Sequence, residues 1–166
     1  MLLKKKNIWL ALVQRCSLYK SFTIKVPTDH RHAVLLDVKA EFTVLSEDAE
    51  SKRIELNAKA LVDTGASCSF MSKRIAQALH LKYYKMSYVR SAQGTVVTPM
   101  YRADLLIQNE MSFSNWLVSE FIGGSDFDFI IGMDILTQGD FALTSENGEM
   151  YFSFRIPSAE KHIDFQ

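Results

Sequence analysis

The sequence predicts an all-β domain, a closed or nearly closed barrel carrying one or two short helices. Three observations predict it: stretches in which every second residue is apolar, tight polar turns between them, and a single convincing helical period. The 166 residues suffice for one domain with a real core, and 48% hydrophobic with 23% charged residues is a globular composition.

Along the chain, Phe22, Ile24 and Val26 alternate like a strand, while residues 1–17 fit helix or strand. From Val34 the apolar residues take even positions, Leu36, Val38, Ala40, Phe42 and Val44, with Asp37, Lys39, Glu41 and Thr43 between them. That is the two-residue period of a strand with one wet face. After the polar turn "SEDAES" the pattern resumes with Ile54, Leu56, Ala58, Ala60 and Val62, so a hairpin delivers the chain into Asp63. The helix follows in "SKRIAQALHL", where Ser72 is placed to cap and Ile75 and Leu79 share a face. Next, "YVRSAQGTVVTPMYRADLLI" reads as two strands around a tip at Ala92-Gln93-Gly94-Thr95, with Pro99 arguing for an edge or irregular position. "FSNWLVSEFI" is a strand stopped by Gly123-Gly124-Ser125, and "FDFIIGMDIL" runs apolar into Gly132 and a short helical turn. Strands at 141–144 and 150–156 flank Asn147-Gly148, a strong hairpin signal.

Charge narrows the function. Nineteen basic residues balance nineteen acidic ones, so no field favours nucleic acid or an anionic membrane. Lys4-Lys5-Lys6 is a short run of the kind found in solvated tails, and the apolar stretch at 8–13 is too short to span a bilayer. The expectation is a reduced, cytoplasmic protein without nucleic-acid or membrane partners. Cys16 and Cys68 have no C-x-x-C spacing, and His30-x-His32 has no second ligand pair. No metal and no cofactor are therefore expected, and Cys68, among small and apolar residues, reads as a buried thiol.

Asp63 is the chemically suggestive residue. It ends a strand in Thr-Gly-Ala-Ser, on the face opposite Val62, and Gly65 permits close approach of another segment. An ordinary strand-to-turn junction uses the same residue types.

Two stretches decide for more than a turn. "LVDTGASCSFMSKRIAQALHLK" and "FDFIIGMDILTQGDFALT" resemble the retropepsin-like aspartic proteases, the retroviral and retrotransposon-type single-domain family. The first resembles the family's D-[TS]-G-[AS] motif with its short helix. The second resembles its hydrophobic-hydrophobic-Gly element, Ile130-Ile131-Gly132, followed by G-x-D-x-L. The match covers residues 33–156, with 1–30 as an N-terminal extension, 31–158 as the protease domain and 159–166 as a tail.

The resemblance implies an aspartic endopeptidase. Such chemistry needs two adjacent carboxylates sharing one proton. Only one D-[TS]-G occurs, and Asp126, Asp128, Asp134 and Asp140 lack the following Thr/Ser-Gly. The second carboxylate is thus expected from a two-fold homodimer, with a peptide or protein as the other partner. By the same resemblance Asp63 is catalytic, the Thr64 hydroxyl bonds backbone across the dimer, and Gly65 offers backbone to substrate. Ala66 lines the cleft, and Gln93, Gly94 and Thr95 form a flap over it. Two departures stand out: Ser67 and Met133 occupy positions where retroviral members commonly carry an acid and an arginine. The rival expectation is a catalytically silent dimerisation or peptide-binding module of the same fold.

Overall fold

A computed structural model of the chain describes residues 19–27, 33–45, 51–91, 94–122 and 126–159. The expectations for residues 1–17, Cys16, His30, His32, Gln93 and the 123–125 stop lie outside these residues. Chain order is β1 (Lys20–Lys25), β2 (Leu35–Leu45), β3 (Ser51–Val62), β4 (Phe70–Ser72), α1 (Lys73–Ala78), β5 (Lys85–Ser91) and β6 (Gly94–Ile107). There follow β7 (Met111–Phe121), β8 (Phe129–Ile131), α2 (Met133–Leu136), β9 (Asp140–Glu146) and β10 (Glu149–Ile156).

The barrel closes. Strands run β2-β3-β8-β4-β7-β6, and β6 returns to β2 where Val38 to Glu41 face Ile107 to Asp104 in antiparallel register. The alternation read from β2 is the cause: Leu36, Val38, Ala40 and Phe42 are each 2% exposed or less and point inward. They meet Leu105 and Ile107 of β6, Val118 of β7 and Phe129 and Ile131 of β8. Fully burying each such large side chain stabilises the fold by about 1.5–3 kcal/mol. The outer face of the β2–β3 hairpin is a charge lattice instead. Glu41 and Glu55 sit opposite one another, and each is drawn off diagonally, to Arg53 at 2.8 Å and Lys39 at 2.7 Å. These exposed pairs offset like-charge repulsion and add little beyond that.

A separate three-stranded sheet, β1-β10-β9, covers one side. Phe22, Phe154 and Phe141 lie in one cross-strand row and Ile24, Phe152 and Leu143 in the next, so one face is apolar. Phe152 and Phe154 are buried in the core, while Phe141 and Leu143 on β9 stay exposed. Asn147 and Gly148 turn the β9–β10 hairpin with φ of 52° and 79°, the left-handed pair that a tight hairpin turn requires.

The β5–β6 hairpin stands outside the ring, because residues 94–99 of β6 pair with β5 alone. Pro99 is accommodated there: that stretch has one free edge, so its missing N–H interrupts no second ladder. Two contacts fasten the hairpin's base to β7. The Thr98 hydroxyl donates to the Glu120 carbonyl at 2.8 Å, and the Tyr101 hydroxyl donates to the Glu120 carboxylate at 2.9 Å. Burial, then the hydrogen bond and charge of Glu120, push the Tyr101 phenol up to about 12.

A raised phenol gives a definite sign. The folded state holds this proton more tightly than the unfolded state, so the contribution is complete below about pH 10 and is lost as pH rises towards 12. Tyr101→Phe should lower stability at neutral pH by about 1 kcal/mol. It should also flatten the fall in denaturation midpoint between about pH 10 and 12, the window between unfolded and folded titration. Denaturant melts of both proteins across that range check it.

Candidate active site

The site is a loop wrapped over the end of a strand. β3 runs parallel to β8, pairing Ala60 with Phe129, Leu61 with Ile130 and Val62 with Ile131. β4 pairs with the other edge of β8, antiparallel, through Phe70 and Ile130. The chain leaving β3 must therefore cross the end of β8 to enter β4, and residues 63–69 are that crossing. The Asp63 N–H donates to the Ile131 carbonyl at 3.0 Å, and the Met133 N–H donates to the Ala66 carbonyl at 2.8 Å. Between them lies Gly132, fully enclosed. A Cβ there would fall on the Cys68 carbonyl and within 2.9 Å of the Ala66 carbonyl oxygen, so only glycine passes beneath the loop.

One carboxylate locks the crossing. Asp134, in α2, accepts hydrogen bonds from the Ser69 hydroxyl at 2.7 Å, the Ser69 N–H at 3.0 Å, the Trp116 indole at 3.0 Å and the Ile135 N–H at 2.9 Å. The Ser69 hydroxyl in turn accepts from the Gly132 N–H at 3.1 Å, and the Ser69 carbonyl accepts from the Ser119 N–H at 3.0 Å. Loop, α2 and β7 thus converge on one anion whose four partners all donate. Bonds to a charged acceptor in such a half-buried place are worth more than neutral ones, about 1.5–3 kcal/mol each.

Within the loop, Asp63 is half-buried and Gly65 exposed, and the Gly65 N–H donates to Asp63 Oδ1 at 2.8 Å. A Cβ on Gly65 would stand 3.2 Å from that same oxygen, which ties glycine at this position to the placement of the carboxylate. Thr64 is exposed and Ala66 half-buried beside them. The fold thus gathers Asp63, Thr64, Gly65 and Ala66 into one rigid turn. Gly94 and Thr95 lie on another element, exposed at the outer end of the β5–β6 hairpin.

Three readings of the sequence change in detail. Ser72 precedes α1 as expected, but its hydroxyl makes no cap; it donates to Asp128 at 2.7 Å, where Arg74 also binds at 2.6 Å. The carboxylate is the stronger acceptor and anchors α1 to the segment entering β8. Cys68 is half-buried rather than fully buried, with its sulfur 3.9 Å from the Ser119 hydroxyl, and burial pushes its thiol up, away from the reactive thiolate. The third change is the role of the downstream aspartates. Asp128 and Asp134 hold the fold as described, and Asp140 receives the Arg155 guanidinium and the Ala159 N–H. Ser69 and Trp116 were not singled out by sequence; the Gly132-x-Asp134 spacing was the available signal. Among the described residues no group of three His, Cys, Asp or Glu is arranged to hold a metal ion.

The lock predicts a graded pair of variants. Asp134→Ala leaves four donors without their acceptor and should cost roughly 3–5 kcal/mol, whereas Asp134→Asn keeps one acceptor and should cost about half as much. Gly132→Ala should be at least as damaging as Asp134→Ala, because the atoms it strikes are backbone. Urea denaturation of the three variants against the parent measures the order.

Residues 53–138, which include most of β3, the loop and α2, match the family described as "gag-polyprotein putative aspartyl protease". No curated protein matches the chain by sequence. Among solved structures, a retropepsin-like aspartic protease from Rickettsia conorii is similar at a TM-score of 0.50 and 19% identity, covering 82% of this chain and 93% of that one. The retroviral protease-like domain of Ddi1 from Leishmania major is similar at a TM-score of 0.39 and 20% identity, over 72% and 94% of the two chains. The matched span includes both the D-T-G loop and the glycine-containing segment that locks it, and this chain belongs to the family of gag-polyprotein putative aspartyl proteases, on a retropepsin-like fold.

Proposed function

We propose that the protein is an aspartic endopeptidase acting as a homodimer, in which the Asp63 carboxylates of two copies flank one scissile peptide bond. The observation carrying this reading is the locked Asp63-Thr64-Gly65 turn, whose carboxylate is fixed by its own loop. The chemistry needs a pair, and each chain supplies one. An isologous two-fold contact sets a residue opposite its own mate, which meets the requirement without a second motif.

In the cycle, one Asp63 is ionised and draws a proton from a water held between the pair, while the protonated mate donates to the substrate carbonyl oxygen. The hydroxide attacks the carbonyl carbon to give a tetrahedral intermediate. Collapse breaks the C–N bond and returns a proton to the departing amine. The two titration steps belong to the dyad as a whole. In this reading an extended peptide lies in the site and the β5–β6 hairpin serves as a flap that excludes bulk water. Gln93, Gly94 and Thr95 are the flap-tip residues in this reading, and Thr64 links the two loops.

Asp63→Asn tests it. The wild-type chain should cut casein at mildly acidic pH, and the variant should lose at least about a hundredfold in rate while sedimenting as the same dimer. Equal cutting by the variant excludes the dyad. Cleavage by a chain that sediments as a monomer excludes the shared site. A wild-type dimer inert at every pH supports the silent, peptide-binding reading instead.

A further inference from the structure

The β2–β6 seam that closes the barrel is paired along only part of its length. β2 and β6 pair as far as Glu41 and Asp104, and there their ladder stops. Beyond that point residues 42–44 of β2 and 101–103 of β6 have no ladder partner on their facing edges among the described residues. The connector from α1 to β5 crosses the gap, held by the Leu81 N–H on the Ala76 carbonyl and the Tyr84 N–H on the Met100 carbonyl. Two hollows flank the connector, of about 140 and 430 Å³, sharing Thr43, Lys82 and Arg102 in their walls.

The charges around this seam are unevenly committed. Its acids are engaged: Glu41 binds Arg53 at 2.8 Å, and Asp104 accepts the Asn115 N–H. Its cations form no salt bridge among the described residues. Lys82 is exposed with no ion pair among the described residues, and His80 is exposed at the rim of the smaller hollow. Arg102 lies 3.9 Å over the Tyr84 ring and has a tyrosine, not a carboxylate, as its partner. No acidic residue lines the smaller hollow. Tyr83 and Tyr84, 59% and 55% exposed, add apolar surface with polar tips.

We propose that this seam docks an extended acidic segment of a partner protein, laid along the open edge of β2. The edge offers backbone hydrogen bonds over three residues, about 10 Å of strand, enough for a peptide of three or four residues to add by strand pairing. Carboxylates on one side of that peptide face Lys82, Arg102 and His80, while apolar side chains rest on Val44 and the tyrosines. The opposite charge of the peptide is what selects it, and the attraction weakens with salt. The surface is separate from Asp63 and its loop, so the proposal does not depend on cleavage.

The test uses the full chain carrying Asp63→Asn, so that binding is read without hydrolysis. The probe is a fluorescein-labelled peptide of alternating Val and Glu, eight residues long, with alternating Val and Lys as the control. Fluorescence polarisation should show binding of the acidic peptide alone, weakened about tenfold or more by Lys82→Glu with Arg102→Glu. Both positions are exposed, and a thermal melt confirms that the variant is folded. Amide shifts of the labelled chain should centre on residues 42–44 and 82–84. Binding unchanged by the double variant, or shifts centred elsewhere, overturns the proposal. So does binding that appears only after Glu47, Asp48 and Glu50 are replaced by Ser, since the chain's own loop would then be the occupant. Shifts at 42–44 that follow protein concentration rather than peptide would assign the edge to a second copy and also overturn it.

Discussion

Everything at the candidate site depends on one topological constraint: β8 lies between the strand that enters the loop and the strand that leaves it. β3 and β4 hold its two edges, so residues 63–69 have no route except across its end. The crossing is close, and the end of β8 has to present an atom-thin surface to the loop. Gly132 supplies it, with two loop carbonyls where a side chain would sit. The turn bearing Asp63 is therefore shaped by a strand distant in sequence, and the short apolar run before Gly132 belongs to the site as much as the D-T-G does.

Asp134 completes the constraint. A crossing made only of backbone contacts could hinge about Gly65, but the Asp134 carboxylate gathers Ser69, Trp116 and the first turn of α2 around one point. The anion suits the place because every neighbour directed at it is a donor. Ser69 donates to the carboxylate and accepts from Gly132, so the same hydroxyl spans both sides of the crossing. Ser67 and Met133, which depart from the retroviral pattern, fit this arrangement without an ion pair: Ser67 is exposed, and Met133 packs against the core while its N–H holds Ala66.

What could be read from the sequence was whatever a local period or a short spacing encodes. The alternation from Val34 to Val44 specified a strand and its buried face, since a two-residue period leaves no other assignment. Asn147-Gly148 specified its hairpin for the same kind of reason, as the turn needs left-handed backbone at both positions. Asp134 was visible as an aspartate of unassigned role, and its partners were not: Ser69 lies 65 residues earlier in the chain and Trp116 lies 18. Ser72 shows the limit from the other side. Its residue type and position are right for a helix cap, yet Asp128, brought close only by the fold, takes its hydroxyl. The unpaired part of the β2–β6 seam had no sequence signal at all, because it exists where a ladder stops, and a stop is set by how two strands diverge.

These features bear on the proposed dimeric enzyme in one further way. Two carboxylates that share a proton need positions fixed to a fraction of an ångström, and a flexible loop would lose that order on every opening of the pair. Here each chain fixes its own carboxylate, through the Gly65 N–H, the Asp63 N–H on Ile131 and the Asp134 lock behind them. Dimerisation then has only to bring together two loops that are already shaped. Asp128, Asp134 and Asp140 are each committed to holding an element in place and are not available as a second catalytic group. With Asp128, Asp134 and Asp140 committed to the fold, the proposed dimeric reading takes its second carboxylate from the Asp63 of another copy.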